Sequence, residues 1–171
     1  MKKIIAIDVG NSETTVGVGN SKSWEGYRFT TRKTITSDEL LMMFKTIIDL
    51  DPIKENLIEG AIICSVVPQI TNSVATATSR FIAKEAIVVG PGVKTGLKVN
   101  IDNPKELGPD RIANSIGGYI KSESAVIVVD LGTATTFDLV NEKKEYLGGA
   151  IAPGIKISLN ALTSKTSSLK S

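Results

Sequence analysis

The sequence contains no histidine and only one cysteine, Cys64, in 171 residues. A single cysteine cannot close an internal disulfide, and it fits a reducing compartment. Without histidine there is no Ser-His-Asp triad, no Cys-His pair and no histidine-bound zinc. Any catalysis must draw on carboxylates, Lys or Arg, hydroxyls, backbone amides and oxygen-bound metals. An excess of one charge is also lacking. The 20 Lys and Arg face 18 Asp and Glu, a net of +2, which argues against a nucleic-acid surface built on bulk positive charge. No stretch approaches the roughly 20 apolar residues of a membrane span. Lys2 and Lys3 precede an apolar run, but Asp8 interrupts it before it could serve as a signal-peptide core. Composition therefore predicts a soluble, cytoplasmic protein with neither nucleic acid nor membrane as partner.

At 42% hydrophobic, the chain can build a core for one ordinary domain or two small ones. Short apolar runs predict strands at Ile4–Ile7, Thr14–Val18 and Tyr27–Thr31, the first two forming a hairpin through Gly10, Asn11 and Ser12. Ser37-Asp38-Glu39 can start a helix, because such side chains satisfy free backbone amides, and Leu40, Leu41, Phe44, Ile47 and Ile48 follow at helical spacing. Pro52 marks a break. Gly60–Val67 predicts a buried strand, Ile70–Ala83 a helix, and Ala86–Val89 a short strand. Residues 91–109, rich in Pro and Gly, read as irregular connection. A helix is expected from Pro109 to Tyr119 with Ile112, Ser115, Ile116 and Tyr119 on its inner face, then strands over 125–130, 135–140 and Glu145–Ile151, and a last helix from Ile155 to about Leu162. A three-strand meander followed by helices resembles a ribonuclease H-like unit, and the second half begins the pattern again. The expected division is 1–120 for the first unit and 121–171 for the start of a second.

Two phrases repeat at an offset of 122: IIAIDVGNSETTVGV from Ile4 and VIVVDLGTATTFDLV from Val126, aligning Asp8 with Asp130, Gly10 with Gly132 and Thr14 with Thr136. A carboxylate at the exit of a buried strand is costly unless a cation or a set of donors compensates it. The glycine two residues on lets the backbone turn tightly, and nearby amides and hydroxyls can then reach phosphate oxygens. Two such hairpins facing one another would hold a nucleotide's phosphates and Mg²⁺. A plain turn, in which the aspartate caps its own backbone, stands beside this reading for either copy alone. Between the repeats, Pro109 suits the first turn of a helix. Asp110 there is either a capping acid or a functional one, with Arg111 next to it.

Five motifs occur in order: D-V-G-N-S at 8–12, S-V-V-P at 65–68, N-P-K-E-L-G-P-D-R-I-A-N at 103–114, D-L-G-T-A-T-T-F-D at 130–138 and G-G-A-I-A-P-G-I at 148–155. Together they resemble type III pantothenate kinase, of the acetate and sugar kinase, actin and heat-shock chaperone ATPase superfamily. The resemblance implies an α/β chain with a duplicated ribonuclease H-like fold. It implies phosphorylation of pantothenate by ATP at the start of coenzyme A biosynthesis. By the same resemblance the first phosphate loop would comprise Asp8, Val9, Gly10, Asn11, Ser12, Glu13, Thr14 and Thr15, with Asp8 near Mg²⁺. Gly108, Pro109, Asp110 and Arg111 would hold pantothenate, Asp110 accepting the proton of its primary hydroxyl. Asp130 would bind the monovalent cation, K⁺ or NH₄⁺, Thr133 would contact ATP, and the assembly would be a homodimer. A non-catalytic nucleotide- or partner-binding regulator of the same fold is the alternative, and a sugar or acetate kinase or a polyphosphate phosphatase is a third reading.

Two departures stand out. Ile101 occupies a position where the family usually has an aromatic residue, so it offers substrate an apolar wall without a ring or hydroxyl. Family members also continue well past the G-G-A-I-A-P-G-I segment. Thr166–Leu169 still resembles them, whereas Lys170 replaces a usual proline. The second half is therefore expected to be incomplete, with an open sheet edge and face and weak or absent kinase activity in this chain alone. Among smaller features, Met42-Met43-Phe44 and Cys64 read as packing residues. Trp24 reads as either a partner anchor or local packing. Gly148, Gly149 and Gly154 are either close-approach positions or turns.

Overall fold

The structure, a computed structural model, describes residues 2–50 and 58–165. Pro52, Thr166–Leu169 and Lys170 lie outside the described residues. The chain divides into two compact units, Met1–Val93 and Lys94–Ser171.

In the first unit, β1 (Lys3–Val9), β2 (Glu13–Gly19) and β3 (Trp24–Thr30) form the expected antiparallel meander. Helix α1 (Ser37–Leu50) then leads to β4 (Ile58–Ser65), which pairs with β1 in parallel. Helix α2 (Pro68–Ile82) leads to β5 (Ile87–Val88), parallel to β4. The sheet order is β3-β2-β1-β4-β5. Helix α1 is capped one residue earlier than the sequence suggested. Thr36 and Glu39 make the reciprocal pair, Thr36 N to Glu39 Oε2 at 2.9 Å and Glu39 N to Thr36 Oγ1 at 3.3 Å. Those bonds from Thr36 hold the Glu39 carboxyl below its usual range.

Alternation along β1 and β2 places Ile5, Ile7, Val9, Val16 and Val18 on one face, each at most 2% exposed. They form one core with Phe44 and Ile47 of α1 and Ile70, Val74 and Phe81 of α2. Phe44 and Met43 join this core, whereas Met42 is exposed. Cys64 is buried in β4. Half-exposed Trp24 has its indole over Gly17 and Gly19, where a β-carbon would crowd the ring. The local packing role is therefore the one observed.

In the second unit the expected irregular stretch contains two short elements. These are β6 (Lys98–Val99), paired in parallel with β9, and a 3₁₀ turn at Pro104–Glu106. A two-residue strand has no periodicity to detect, so its partner strand alone reveals it. Helix α3 (Pro109–Ser122), β7 (Val126–Leu131), β8 (Ala134–Val140), β9 (Glu145–Pro153) and α4 (Ile155–Lys165) follow. The sheet order is β6-β9-β8-β7. Helix α3 packs on β7 and β8, so the compact units part at 93/94 rather than at the expected 120/121. Gly118 makes this packing close, since a β-carbon there would collide with Val128. Ser115 is buried on the inner face, with Ile112, Ile116 and Tyr119 partly buried beside it.

The second sheet repeats the first meander with one change. Val9 pairs with Thr14 across residues 10–13, whereas Leu131 pairs with Thr135 across 132–134. The second hairpin is one residue shorter. By ladder position Thr14 therefore matches Thr135, and Thr15 matches Thr136, correcting the alignment of Thr14 with Thr136. On this register Ile5, Ile7, Val9, Val16 and Val18 correspond to Ile127, Val129, Leu131, Phe137 and Leu139. The second set is 40–67% exposed. Among the described residues no strand pairs with the outer edge of β7, so the expected incompleteness of the second half is observed as an open edge and an open apolar face.

Candidate functional site

In the first unit, β1 delivers Asp8 to the end of the strand with its side chain on the exposed face, opposite Thr15. Val9 is fully buried in the core, so it offers the loop only its backbone. The turn closes through Gly10 N to Glu13 O at 2.9 Å, and a β-carbon at Gly10 would press on that same oxygen. Asn11, Ser12 and Glu13 are exposed. Thr14 is buried, its hydroxyl 2.9 Å from that of Thr31, and Thr31 Oγ1 donates to Gly10 O at 2.7 Å. Thr31 has one hydroxyl proton and gives it to Gly10, so Thr14 donates to Thr31. Thr31 N also donates to Ser12 O at 2.9 Å. Thr14 thus supports the loop from beneath. Thr31, which no local pattern singled out, ties the loop to the end of β3.

In the second unit, Pro109 opens α3 after Gly108, which has extended backbone and no side-chain cap. Asp110 Oδ1 accepts from Arg111 N at 2.8 Å. A β-carbon at Gly108 would stand 2.5 Å from that carboxylate oxygen, so glycine leaves Asp110 its room. Asp110 therefore satisfies a first-turn amide while remaining partly exposed. Arg111 is not a surface residue. Its side chain is 14% exposed, with Nε 2.8 Å and Nη2 2.7 Å from Asp138 Oδ1. Asp138 is fully buried, and Tyr146, also buried, donates its hydroxyl to the same oxygen at 2.8 Å. Burial first, and then the bond to Asp138, pushes the Tyr146 phenol up to about 12. Gly149 borders this group, since a β-carbon there would collide with Phe137 O and reach 2.5 Å from Arg111 Nη2.

Asp130 is the next-to-last residue of β7, and Asn114 Nδ2 of α3, one turn beyond Asp110, donates to its Oδ2 at 2.9 Å. Thr133 lies in the exposed loop that follows. Gly154 N donates to Thr133 O at 3.1 Å, and any side chain at Gly154 would collide with the carbonyls of Gly132 and Thr133. Close backbone approach is thus the role of Gly149 and Gly154, while Gly148 adopts φ +122°, which favours glycine. Ile101 packs partly buried against the small core of Leu97, Leu107, Val140 and Tyr146.

The second unit therefore brings together Asp110, Arg111 and Asp130 through α3 and the β7–β8 pair. It adds Asn114, Asp138 and Tyr146, which sequence reasoning missed, and Gly149, which it had read as a close-approach position or a turn. Asp138 carried one usable signal: an acid between Phe137 and Leu139 at an inward position of an apolar strand. Among the described residues no group of three or more Asp, Glu or Cys side chains is gathered to hold a metal. No helix among them is long and apolar enough to cross a membrane.

Comparison with known proteins accords with this arrangement. Among solved structures, the type II variant of the Ppx/GppA phosphatase from Aquifex aeolicus superposes with a TM-score of 0.51 at 15% identity, over 98% of this chain and 56% of that one. A putative 2-dehydro-3-deoxygalactonokinase from Sinorhizobium meliloti gives 0.51 at 13% identity, over 97% and 58%. These likenesses show a shared fold, a mixed α/β chain built on two sheets. In sequence, the type III pantothenate kinase of Geotalea daltonii is 44% identical over 167 residues, and that of Syntrophotalea carbinolica 41%. The match takes in 97% of this chain but only 65% of the first relative's length and 66% of the second's. The type III pantothenate kinase family model matches residues 4–171. With the family model matching nearly the whole chain and relatives above 40% identical over 97% of it, the chain belongs to the type III pantothenate kinase family.

Proposed function

We propose that the chain supplies the phosphate loop and the pantothenate-holding residues of an ATP-dependent pantothenate kinase, the enzyme that makes 4′-phosphopantothenate at the start of coenzyme A biosynthesis. The observation that carries this is the start of α3, where a partly exposed Asp110 stands beside an arginine fixed on a buried acid. Membership of the family supports the same reading.

In the reaction the primary hydroxyl oxygen of pantothenate bonds to the γ-phosphorus of ATP. The bond from that phosphorus to the bridging oxygen breaks, ADP leaves, and the hydroxyl proton passes to the Asp110 carboxylate. Phosphoryl transfer asks mainly for positioning and neutralisation of charge, and histidine is needed for neither. Gly108, Pro109 and Arg111 hold pantothenate beside Asp110, and Ile101 gives it an apolar wall. In the first unit, the amides and exposed side chains from Gly10 to Glu13 and Thr15 cradle phosphate oxygens, with Thr14 bracing them from below. Thr133 contacts ATP from the second loop.

The residues present fit the cations that the family implies. Mg²⁺ arrives with ATP and keeps phosphate and water ligands, so a single carboxylate such as Asp8 suffices on the protein side. Asp130 offers a hard oxygen donor for K⁺ or NH₄⁺, because Asn114 ties Oδ2 and leaves Oδ1 without a hydrogen bond among the described residues. When bound, the monovalent cation supplies positive charge against the polyphosphate. The assembly is a cytoplasmic homodimer.

One observation favours the rival reading of a non-catalytic nucleotide- or partner-binding regulator: the exposed apolar face of the second sheet, which leads us to expect low turnover from the 171-residue chain alone. A coupled assay with pantothenate, ATP, Mg²⁺ and K⁺ separates the two. Formation of 4′-phosphopantothenate, dependent on K⁺ or NH₄⁺ and lost in Asp110→Asn, supports the kinase. Nucleotide binding with no transfer, in this chain and in the protein at its relatives' full length, would establish the regulator.

A further inference from the structure

We infer that Asp138 and Tyr146 are positioning residues for pantothenate binding, acting through Arg111. This rests on the reading that Arg111 holds that substrate. Arg111 reaches its place through a long flexible side chain, and a guanidinium free to turn would meet substrate in many orientations. Here three donors converge on one oxygen, Asp138 Oδ1: Arg111 Nε at 2.8 Å, Arg111 Nη2 at 2.7 Å and the Tyr146 hydroxyl at 2.8 Å. Thr136 Oγ1 approaches the other oxygen at 3.4 Å. The Tyr146 ring also lies under the guanidinium, 6.0 Å from its centroid to Cζ. The fork is thus used on its Nε and Nη2 side. Nη1 makes no hydrogen bond among the described residues, and its two N–H groups form the edge left for substrate oxygens.

Stability alone is a weak reason for this arrangement. A buried ion pair recovers little more than its desolvation cost, and its best-attested use is to specify geometry. Asp138 occupies an inward position of β8 that its neighbour Val140 fills with an ordinary apolar side chain. Gly149 has no side chain that would displace the guanidinium from Asp138. Because Asp138 neutralises Arg111, the pair presents oriented donors rather than an unbalanced charge. Preorganisation of this kind acts on substrate affinity.

The test is a double-mutant cycle in the full protein, reading KM and kcat for pantothenate, KM for ATP, and direct binding of radiolabelled pantothenate, with circular dichroism confirming the fold of each variant. Asp138→Asn should raise the KM and dissociation constant for pantothenate by about 10- to 100-fold, the size of effect expected when a binding group is displaced by about 1 Å. The KM for ATP should stay within about twofold, and Tyr146→Phe should cost pantothenate affinity about fivefold, one hydrogen bond's worth. In an Arg111→Ala background, Asp138→Asn should add nothing, because the group it positions is gone. A purely structural role would instead weaken both substrates and add to Arg111→Ala. Either that pattern or unchanged pantothenate affinity in folded Asp138→Asn and Tyr146→Phe overturns the inference while leaving Arg111's own role intact. Unchanged pantothenate affinity in Arg111→Ala, or no binding by the unaltered protein, overturns the reading of Arg111 and the inference with it.

Discussion

Thr31 donates its hydroxyl to the Gly10 carbonyl across 2.7 Å and accepts from the hydroxyl of Thr14, joining the end of one hairpin to the turn of another. The turn that follows Asp8 is therefore fixed by a residue far along the chain. Thr31→Val keeps the shape and removes both bonds. We expect a loss of about 0.5–1.5 kcal/mol in stability and a weaker grip on ATP with the pantothenate KM unchanged, read by urea denaturation and by steady-state kinetics.

Asp110→Asn keeps the size of the side chain and removes its capacity to take a proton. The expected outcome is a fall in kcat of about 10²- to 10⁴-fold, the usual contribution of a general base, with nucleotide binding spared. Full turnover in this variant would rule out the proton-acceptor role.

Ile7 and Val129 hold equivalent ladder positions in the two sheets, yet Ile7 is 2% exposed and Val129 49%. Ile7→Ala should cost about 2–5 kcal/mol by opening a cavity beneath α1 and α2. Val129→Ala in the 171-residue chain should lie within about 0.5 kcal/mol of the unaltered protein. Denaturation curves of the two variants check the pair. The open face should also bind a hydrophobic dye, and Val129→Lys should lower that signal without unfolding the chain.

Gly154→Ala places a methyl group against the carbonyls of Gly132 and Thr133. Backbone on both sides leaves little to give, so the loop must shift. A destabilisation of about 1–3 kcal/mol is expected, together with weaker ATP binding if Thr133 contacts the nucleotide.

The Tyr146 phenol, raised by burial to about 12, gives an alkaline signature. A tyrosine in an unfolded chain titrates near 10. Its contribution is complete below that pH and is lost as pH rises through 10 towards 12, because the unfolded state releases the proton first. Stability measured from pH 9 to 12 should fall in this window, and Tyr146→Phe should flatten the fall.

Much of the architecture was legible because its signals are local. Continuous apolar runs marked β1, β4 and β7, Pro109 marked a helix start, and the repeated D-x-G marked two strand exits. Where the reading slipped, the information was not local. β6 has two residues and is a strand only because β9 lies beside it. The second hairpin lacks one residue, which the ladder exposes and a gapless alignment hides. The grouping of α3 with the second sheet depends on the close contact at Gly118, not on its position along the chain.

The same boundary runs through the site. Residue types and spacing marked the α/β elements, chemistry without histidine and, through the repeated D-x-G, the candidates Asp8 and Asp130, whereas Asp110 and Arg111 took their roles from the family resemblance. The partners of those residues needed the folded chain. Arg111 meets Asp138 and Tyr146, Asp130 meets Asn114, and Gly10 meets Thr31. Each such contact joins different elements, and side chains far apart in sequence find one another only after strands have paired and a helix has packed across them.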